Sequence, residues 1–415
     1  MQLLEEVANI RTGIAISKQA LKDPVSLPYL RVANVQDGFF DLREMKSMQI
    51  ERKQIERYSL AVGDVLMTEG GDADKLGRGD VWQGQIQPCL HQNHVFAVRA
   101  KQDVLLPSFL NALTSSQYGR TFFLRCAKKS TNLASINSSQ LKQFPVLLPP
   151  LAIQQRFTQI LSSWEMAISA SDELISNSEK QKDSWLKHLF SRAQTSADWR
   201  SASLAELVNI DPHSLDKNTP ADHRFRYIQL ANVARGVIDN QLQEYRFDQA
   251  PSRARRLIAA GNILLSMVRP NLQGFARATS LHAGCVASTG FAVLAAKTGT
   301  DAALHADYLY HYLYSPAMTA QIQRAVSGTN YPQMNTTDVA QLEICFPPIT
   351  QQQSISRILD KLDQRLSMER QARHLLMQQK IELVELFLRG ELDLSKCANG
   401  QLQDASSVIF NASSN

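Results

Sequence analysis

The chain has 415 residues, with 44 Lys and Arg against 39 Asp and Glu, five Cys and 44% apolar residues. Two or three domains of about 100–200 residues fit that length, and an apolar share near half excludes a disordered or collagen-like chain. The net charge of +5 permits a nucleic-acid partner without requiring one.

Cys89, Cys126, Cys285, Cys345 and Cys397 lie far apart with no C-x-x-C among them, so they read as inert thiols in a reducing cytosol. Met1-Gln2-Leu3-Leu4-Glu5-Glu6-Val7 lacks a basic stretch followed by an apolar one, and no run of 18 apolar residues occurs. Neither a secretory leader nor a membrane span is expected, and a cytoplasmic location is.

In chain order, Val62–Met67 and His94–Val98 are short apolar runs bounded by turn residues and read as buried strands. Pro107–Ser115 has the spacing of an amphipathic helix, and Asn137 reads as the N-cap of a short helix. After Pro149-Pro150 a stretch free of Pro and Gly reads as one long helix. The same series then returns: strands at Ile263–Val268 and Phe291–Ala295, a helix at Ala306–Tyr314, an N-cap at Asn335, and a long helix after Pro347-Pro348.

The return keeps an offset of 198 at most matched segments, while Phe96-Ala97-Val98 matches Phe291-Ala292-Val293 at 195. Tyr29-Leu30-Arg31-Val32-Ala33-Asn34-Val35 matches Tyr227-Ile228-Gln229-Leu230-Ala231-Asn232-Val233 at 198 residues, and Gly38 matches Gly236. The segment from Ile136-Asn137 to Gln154-Gln155 matches Met334-Asn335 to Gln352-Gln353, again at 198. That period is far too long for a solenoid, so the chain is two copies of one domain-sized unit.

Each long helix carries a narrow apolar stripe: Phe157, Ile160, Leu161, Trp164, Ile168, Leu174, Ile175, Trp185 and Leu189, then Ile355, Ile358, Leu362, Leu366, Leu375, Leu376, Leu383 and Leu386. A wet stripe on a lone rod is unstable, and the nearest partner is the other rod. If a pseudo-two-fold relates the copies, the rods are antiparallel and hold two globules a fixed distance apart. Duplex DNA offers two sites with such a spacing. Ser171, Ser178, Glu369 and Arg373 interrupt the stripes; they read as register-setting residues, with docking of a further protein as the alternative.

The junctions Phe144-Pro145-Val146-Leu147-Leu148-Pro149-Pro150-Leu151-Ala152-Ile153-Gln154-Gln155 and Cys345-Phe346-Pro347-Pro348-Ile349-Thr350-Gln351-Gln352-Gln353 resemble the repeated junction of type I restriction–modification specificity subunits. Gly63-Asp64-Val65-Leu66-Met67-Thr68-Glu69-Gly70-Gly71, followed by Lys75-Leu76-Gly77-Arg78, is similar to that family's target-recognition domains. Ile153 and Gln351 stand where the family usually has an acidic residue. The resemblance implies an α+β chain with two tandem α/β target-recognition domains, separated by two long antiparallel coiled-coil helices. The expected boundaries are 1–148 and 196–346 for the domains, 149–195 and 347–393 for the helices, and 394–415 for a flexible tail. It further implies that each domain reads half of a split DNA target and that the helices set the spacer. The partners would be double-stranded DNA, methyltransferase (modification) subunits and ATP-dependent restriction subunits.

Catalytic motifs are scarce. The chain has no phosphate-loop signature, no dinucleotide fingerprint and no methyltransferase-like Asn-Pro-Pro-Tyr element, so no ATP hydrolysis or methylation by the chain alone is expected, and no cofactor. Ser139-x-x-Lys142 and Lys297-Thr298-Gly299 match two elements of serine β-lactamases, but Ser-Asp-Asn is missing. Cys89, His91 and His94 have a ligand-like spacing without a counterpart in the second copy, so a strand edge is preferred to a metal site. DNA contact needs Lys and Arg for phosphates and Arg, Lys, Asn or Gln for base edges. The candidates are Lys75, Arg78, Lys128, Lys129 and Asn132 in the first copy. In the second they are Arg253, Arg255, Arg256, Arg269, Asn271, Arg277, Asn330 and Tyr331. Phe157, Ile160 and Trp164 are expected to pack the helices, with Ile355, Ile358 and Leu362. A double-headed adaptor that binds proteins alone is the alternative reading.

Overall fold

The computed structural model describes residues 1–15, 21–71, 75–129, 134–191, 198–297, 304–328, 332–392 and 394. These divide into two compact units, one of residues 1–171 with the chain from 372 onward, the other of residues 172–371. Both divisions fall inside a long helix, so each unit contains one globular copy and a piece of each helix.

The first globule is built on strands β1 (Ala8–Thr12), β2 (Asp64–Thr68), β3 (Gly79–Val81) and β4 (Val95–Ala100), hydrogen-bonded in the order β1–β4–β2–β3. The second has β5 (Val208–Ile210), β6 (Ile263–Ser266), β7 (Phe275–Arg277) and β8 (Phe291–Ala296), in the order β5–β8–β6–β7. The topology is the same twice. Every residue of β2 and of β6 is buried, which is why these strands read as continuous apolar runs rather than alternating ones. A further parallel pairing recurs as well, Tyr29 beside Leu90 and Tyr227 beside Val286. In each copy the first strand returns to the strand before the long helix, Gln2–Leu3 to Pro145–Val146 and Arg200–Ser203 to Glu343–Phe346, which closes the globule at the helix root.

Helices α1 (Pro107–Ser115) and α2 (Gln117–Cys126) cover the first sheet. Helix α3 is the first long rod, Leu151–Ser191. Helices α4 (Ala306–Tyr312), α5 (Pro316–Ala325) and α6 (Ile349–Leu388) repeat the series. Asn137 and Asn335 are capping residues: each side chain accepts from the backbone N–H three residues on, at 2.9 Å in both copies.

The duplicated Pro-Pro…Gln junction has a mechanical cause. Gln154 is fully buried, accepts from the Leu106 N–H (2.9 Å) and donates to the Val104 and Pro149 carbonyls. Gln352, its counterpart, accepts from the His305 N–H (2.8 Å) and donates to the Pro347 carbonyl. One amide thus ties the root of each long helix to the loop that opens the globule's own helix, and a buried amide left unpaired would be costly.

Within each unit the two long helices run antiparallel. In the first, Phe157 stacks on Phe387 with ring centroids 4.0 Å apart, and Lys380 donates to Glu165 at 2.8 Å. In the second, Lys182 pairs with Asp363, Ser178 donates to Glu369 at 3.0 Å, and Arg370 donates to Glu179 at 2.6 Å. Lys182–Asp363 and Glu165–Lys380 are one ion pair repeated at the 198 offset. Ser178 and Glu369 are therefore paired with each other across the stripe, whereas Ser171 turns back to its own helix at Ala167.

Phe157, Ile160 and Trp164 are buried in the first core, and Ile355 and Leu362 pack on the second. Ile358 departs from expectation: it is 39% exposed, and the neighbouring Leu359 is buried instead. Leu174 and Leu375 in mid-stripe are also about half exposed. A 3.5-residue stripe drifts around a straight helix of 3.6 residues per turn, so its assigned face slips over forty residues.

Candidate nucleic-acid interface

The chain after β2 leaves as Gly70–Gly71, which pairs with Ala134–Ser135, and that segment pairs in turn with Lys128–Lys129. A Cβ at Gly70 would stand 3.2 Å from the Ala134 carbonyl oxygen, so the close ladder favours glycine. This ribbon brings the Gly-rich loop and the Lys128–Lys129 backbone together. Asn132 lies outside the described residues.

The far end of the loop is fastened by Thr68. Its hydroxyl donates to the Lys75 carbonyl (3.0 Å), its N–H donates to the Arg78 carbonyl (3.0 Å), and its carbonyl accepts from Gly77 (3.2 Å). Leu76 is buried in the core and Gly77, at φ +67°, lies so close to Phe123 that a Cβ would be 2.5 Å from its ring. Lys75 and Arg78 flank this anchored pair and line a cavity of about 200 Å³ with Asp37, Thr114, Ser115 and Arg120. The Arg78 Nε is buried without a hydrogen-bond partner.

In the second copy the chain after β6 bridges through Val268 to Gln333, and Arg269 N–H donates to the Pro332 carbonyl (2.7 Å). The same two regions meet as in the first copy, although Asn330 and Tyr331 are outside the described residues. Arg269 and Gln273 both take left-handed backbone, at φ +48° and +52°, around the single turn Pro270–Leu272. Non-glycine residues there are strained, and such strain concentrates at ligand-contacting loops. Asn271 is exposed and Leu272 is 67% exposed. Leu272 is thus an exposed apolar residue between Asn271 and Gln273, in a loop without strand or helix periodicity.

The remaining arginines separate by their partners. Arg253 and Arg269 are exposed. Arg255 lies over the Phe247 ring with its guanidinium 4.9 Å from the centroid. Arg256 pairs with Asp211 at 2.8 Å. Arg277 is held away from the loop tip: it pairs with Asp307 and Asp360 and lies 5.1 Å from the Tyr310 ring centroid. Burial opposes its charge, but the two carboxylates outweigh that and hold it above its ordinary range. Asp360 also meets the fully buried His311 at 3.0 Å, and burial pushes that imidazole down. Arg277 is therefore built into an ionic hub joining β7, α4 and α6. Its acidic partners lie 30 and 83 residues away in sequence, which is why spacing alone placed it with the loop cations.

The Cys89, His91 and His94 cluster does not converge. Burial pushes Cys89 up to about 12 and His91 down to about 4, and His94 turns to Glu69 at 2.6 Å. Among the described residues no three potential ligands stand together, and no helix is long and apolar enough to cross a membrane.

The type I restriction–modification DNA specificity domain model matches residues 2–176 and 255–376, most of the chain and both copies. The chain belongs to this family. A putative specificity subunit of the type I restriction enzyme MjaX, from Methanocaldococcus jannaschii, is 20% identical over 92% of this chain and 91% of its own. The EcoKI specificity subunit of Escherichia coli is 22% identical over 47% of this chain and 42% of its own. Among solved structures, a chain from a study of complex assembly and conformational transition of the type I R-M system aligns over 93% of this chain and 96% of its own. Its TM-score is 0.55 at 15% identity, a likeness of fold. As a specificity-family chain, the protein is a DNA sequence-recognition subunit, and nothing in these comparisons favours the protein-only adaptor.

Proposed function

We propose that each globule reads one half of a bipartite, asymmetric duplex target, that the paired helices set the spacer, and that they dock methyltransferase subunits. ATP-dependent restriction subunits join the same assembly, and the chain itself performs recognition without catalysis. The observation that carries this reading is one sheet topology built twice, with unlike loops at the same place. The loop after β2 is Gly-rich, with Asp72 and Asp74 ahead of Lys75 and Arg78; the loop after β6 is the strained Arg269–Gln273 turn. Equal scaffolds with unequal loops suit two different half-sites, since positioning comes from backbone contacts and sequence from groove contacts. Lys128, Lys129, Asn132, Arg253, Arg255, Asn330 and Tyr331 remain proposed contacts on the same reasoning.

Selection from a random duplex library with the full chain tests this. The expected product is two unlike half-sites at one fixed separation. Recovery of unrelated sequences, with binding that rises and falls only with salt, overturns it.

A further inference from the structure

We propose that Leu272 is a specificity-determining residue of the second unit, held out of the core so that it reads the 5-methyl group of a thymine in the major groove. The inference deepens the DNA reading of the loop after β6 and rests on it.

A leucine stands at the same place in both copies and meets opposite fates. Met67 pairs with Gly79 and Leu265 pairs with Phe275, which fixes the correspondence at the far end of the two loops. The Gly79 and Phe275 carbonyls accept from the equivalent glycines Gly38 and Gly236, at 3.0 and 2.9 Å. Two residues before each, the backbone is left-handed, at Gly77 in the first copy and Gln273 in the second. The residue preceding that turn is Leu76 in one copy and Leu272 in the other. Leu76 is 5% exposed and packs in the first core, whereas Leu272 is 67% exposed.

The second loop is built to keep its leucine out. It is two residues shorter between the paired strand positions, and Pro270 is its buried residue instead. Arg269 and Gln273 take left-handed backbone without being glycine, which strains the turn. The turn is also tied at both ends. The Arg269 N–H donates to the Pro332 carbonyl (2.7 Å), and the Gln273 amide donates to the Thr319 hydroxyl (3.3 Å). Burial of a leucine is favourable in proportion to its apolar area, so this loop forgoes that gain and carries strain besides. An ordinary surface leucine has neither a buried counterpart nor a strained support.

The contact has a defined chemistry. A leucine side chain has no donor and no acceptor, so it cannot pair with the hydrogen-bonding edge of a base. The thymine 5-methyl is the apolar group that a base pair presents in the major groove, and the minor groove presents none. Asn271, exposed beside Leu272, carries the amide that suits an adenine edge in the same groove.

The test starts from the target that the full chain selects from a random duplex library. Each thymine of that target, on either strand, is replaced in turn by deoxyuridine, which keeps every hydrogen-bonding group and lacks only the methyl. At one position the wild-type chain is expected to bind the substituted duplex about threefold to tenfold more weakly. Leu272→Ala is expected to lose about as much on the unmodified target and to be indifferent to deoxyuridine at that position. Its urea midpoint should stay at the wild-type value, because the side chain is exposed, whereas Leu76→Ala at the buried equivalent should lower it. A wild-type chain indifferent to deoxyuridine at every position overturns the proposal while sequence recognition survives. So does a Leu272→Ala chain that keeps the wild-type sensitivity at each position, since another residue then reads the methyl. A loss by Leu272→Ala that is equal on specific and random duplexes makes the leucine a wedge between base pairs and refutes methyl reading. A chain that selects no sequence at all sinks the DNA reading, and this inference with it.

Discussion

Arg277→Met decides whether that arginine is a clamp or a DNA contact, because the two roles move different observables. Methionine keeps most of the apolar stem and removes the guanidinium. The structure gives that group two carboxylate partners, Asp307 and Asp360, and the face of Tyr310. Charge-assisted hydrogen bonds contribute about 1.5–3 kcal/mol each when shielded, and a cation over a ring about 0.5–1 kcal/mol. The side chain is 31% exposed, so screening discounts the pairs. A net loss of about 2–4 kcal/mol follows, part of it from Asp307 and Asp360 left facing each other. Urea denaturation of the full chain, followed by far-UV dichroism, measures it as a shifted midpoint at unchanged m-value. In parallel, the salt slope of random-duplex binding is expected to stay the same, since the guanidinium neutralises carboxylates rather than phosphates. A stability change below about 0.5 kcal/mol with a slope reduced by about one would refute the clamp and return Arg277 to the DNA-contact set.

Two further predictions concern the first unit. Phe157→Ala removes a fully buried ring that stacks on Phe387 and meets Phe109 edge-on, and is expected to cost about 3–5 kcal/mol in urea titrations. Ile355→Ala, the equivalent but half-buried position, is expected to cost less than about 2 kcal/mol, and equal losses would mean that the two helix roots pack alike. His91 is neutral in the fold because burial holds it at about 4, against 6.5 for a free imidazole. An unfolded chain therefore takes up a proton that the folded one refuses, and the stability present above pH 6.5 falls as pH drops toward 4, by about 3 kcal/mol in all. His91→Gln, whose amide can still donate to the Val95 carbonyl, is expected to flatten that slope, and an unchanged slope would place the titration elsewhere.

The duplication, the strands and both rods were legible because they rest on local pattern. One offset carried through the junctions, and continuous apolar runs marked β2 and β6. The two asparagine caps were equally local, with hydroxyl residues following each. What could not be read depends on where the chain returns. Arg277 and Arg256 looked like loop cations until Asp307, Asp360 and Asp211 arrived from remote segments. Asp37 and Arg120 gave no signal as a pair, being 83 residues apart in sequence. The stripe failed at Ile358 for a different reason: seven residues of ideal helix turn about 20° short of two full turns, and Leu359 took the buried face.

The proposed spacer-setting role of the helices gives the sharpest test, and the register of the helix pair dictates its design. Glu165 pairs with Lys380 and Lys182 pairs with Asp363, so 17 residues separate the two ion pairs on either helix. Deleting Ser171 to Asn177 from α3 alone keeps the heptad phase, but leaves ten residues opposite seventeen. Both registers cannot then survive, and this single deletion is expected to destabilise the chain before it reports anything about DNA. Removing Arg370 to Leu376 from α6 as well restores the match while sparing Ser178, Glu369 and both repeated ion pairs. Each helix then loses about 10 Å at 1.5 Å per residue. If the helices are a ruler, the preferred spacer shortens by up to about 3 base pairs, and specific binding to the original target falls by about 10³-fold or more toward the non-specific level. The salt-sensitive component should persist, because every loop cation is untouched. A doubly deleted chain with wild-type urea stability that still selects the original spacer would mean that the helices tether the two recognition units without measuring the distance between their half-sites.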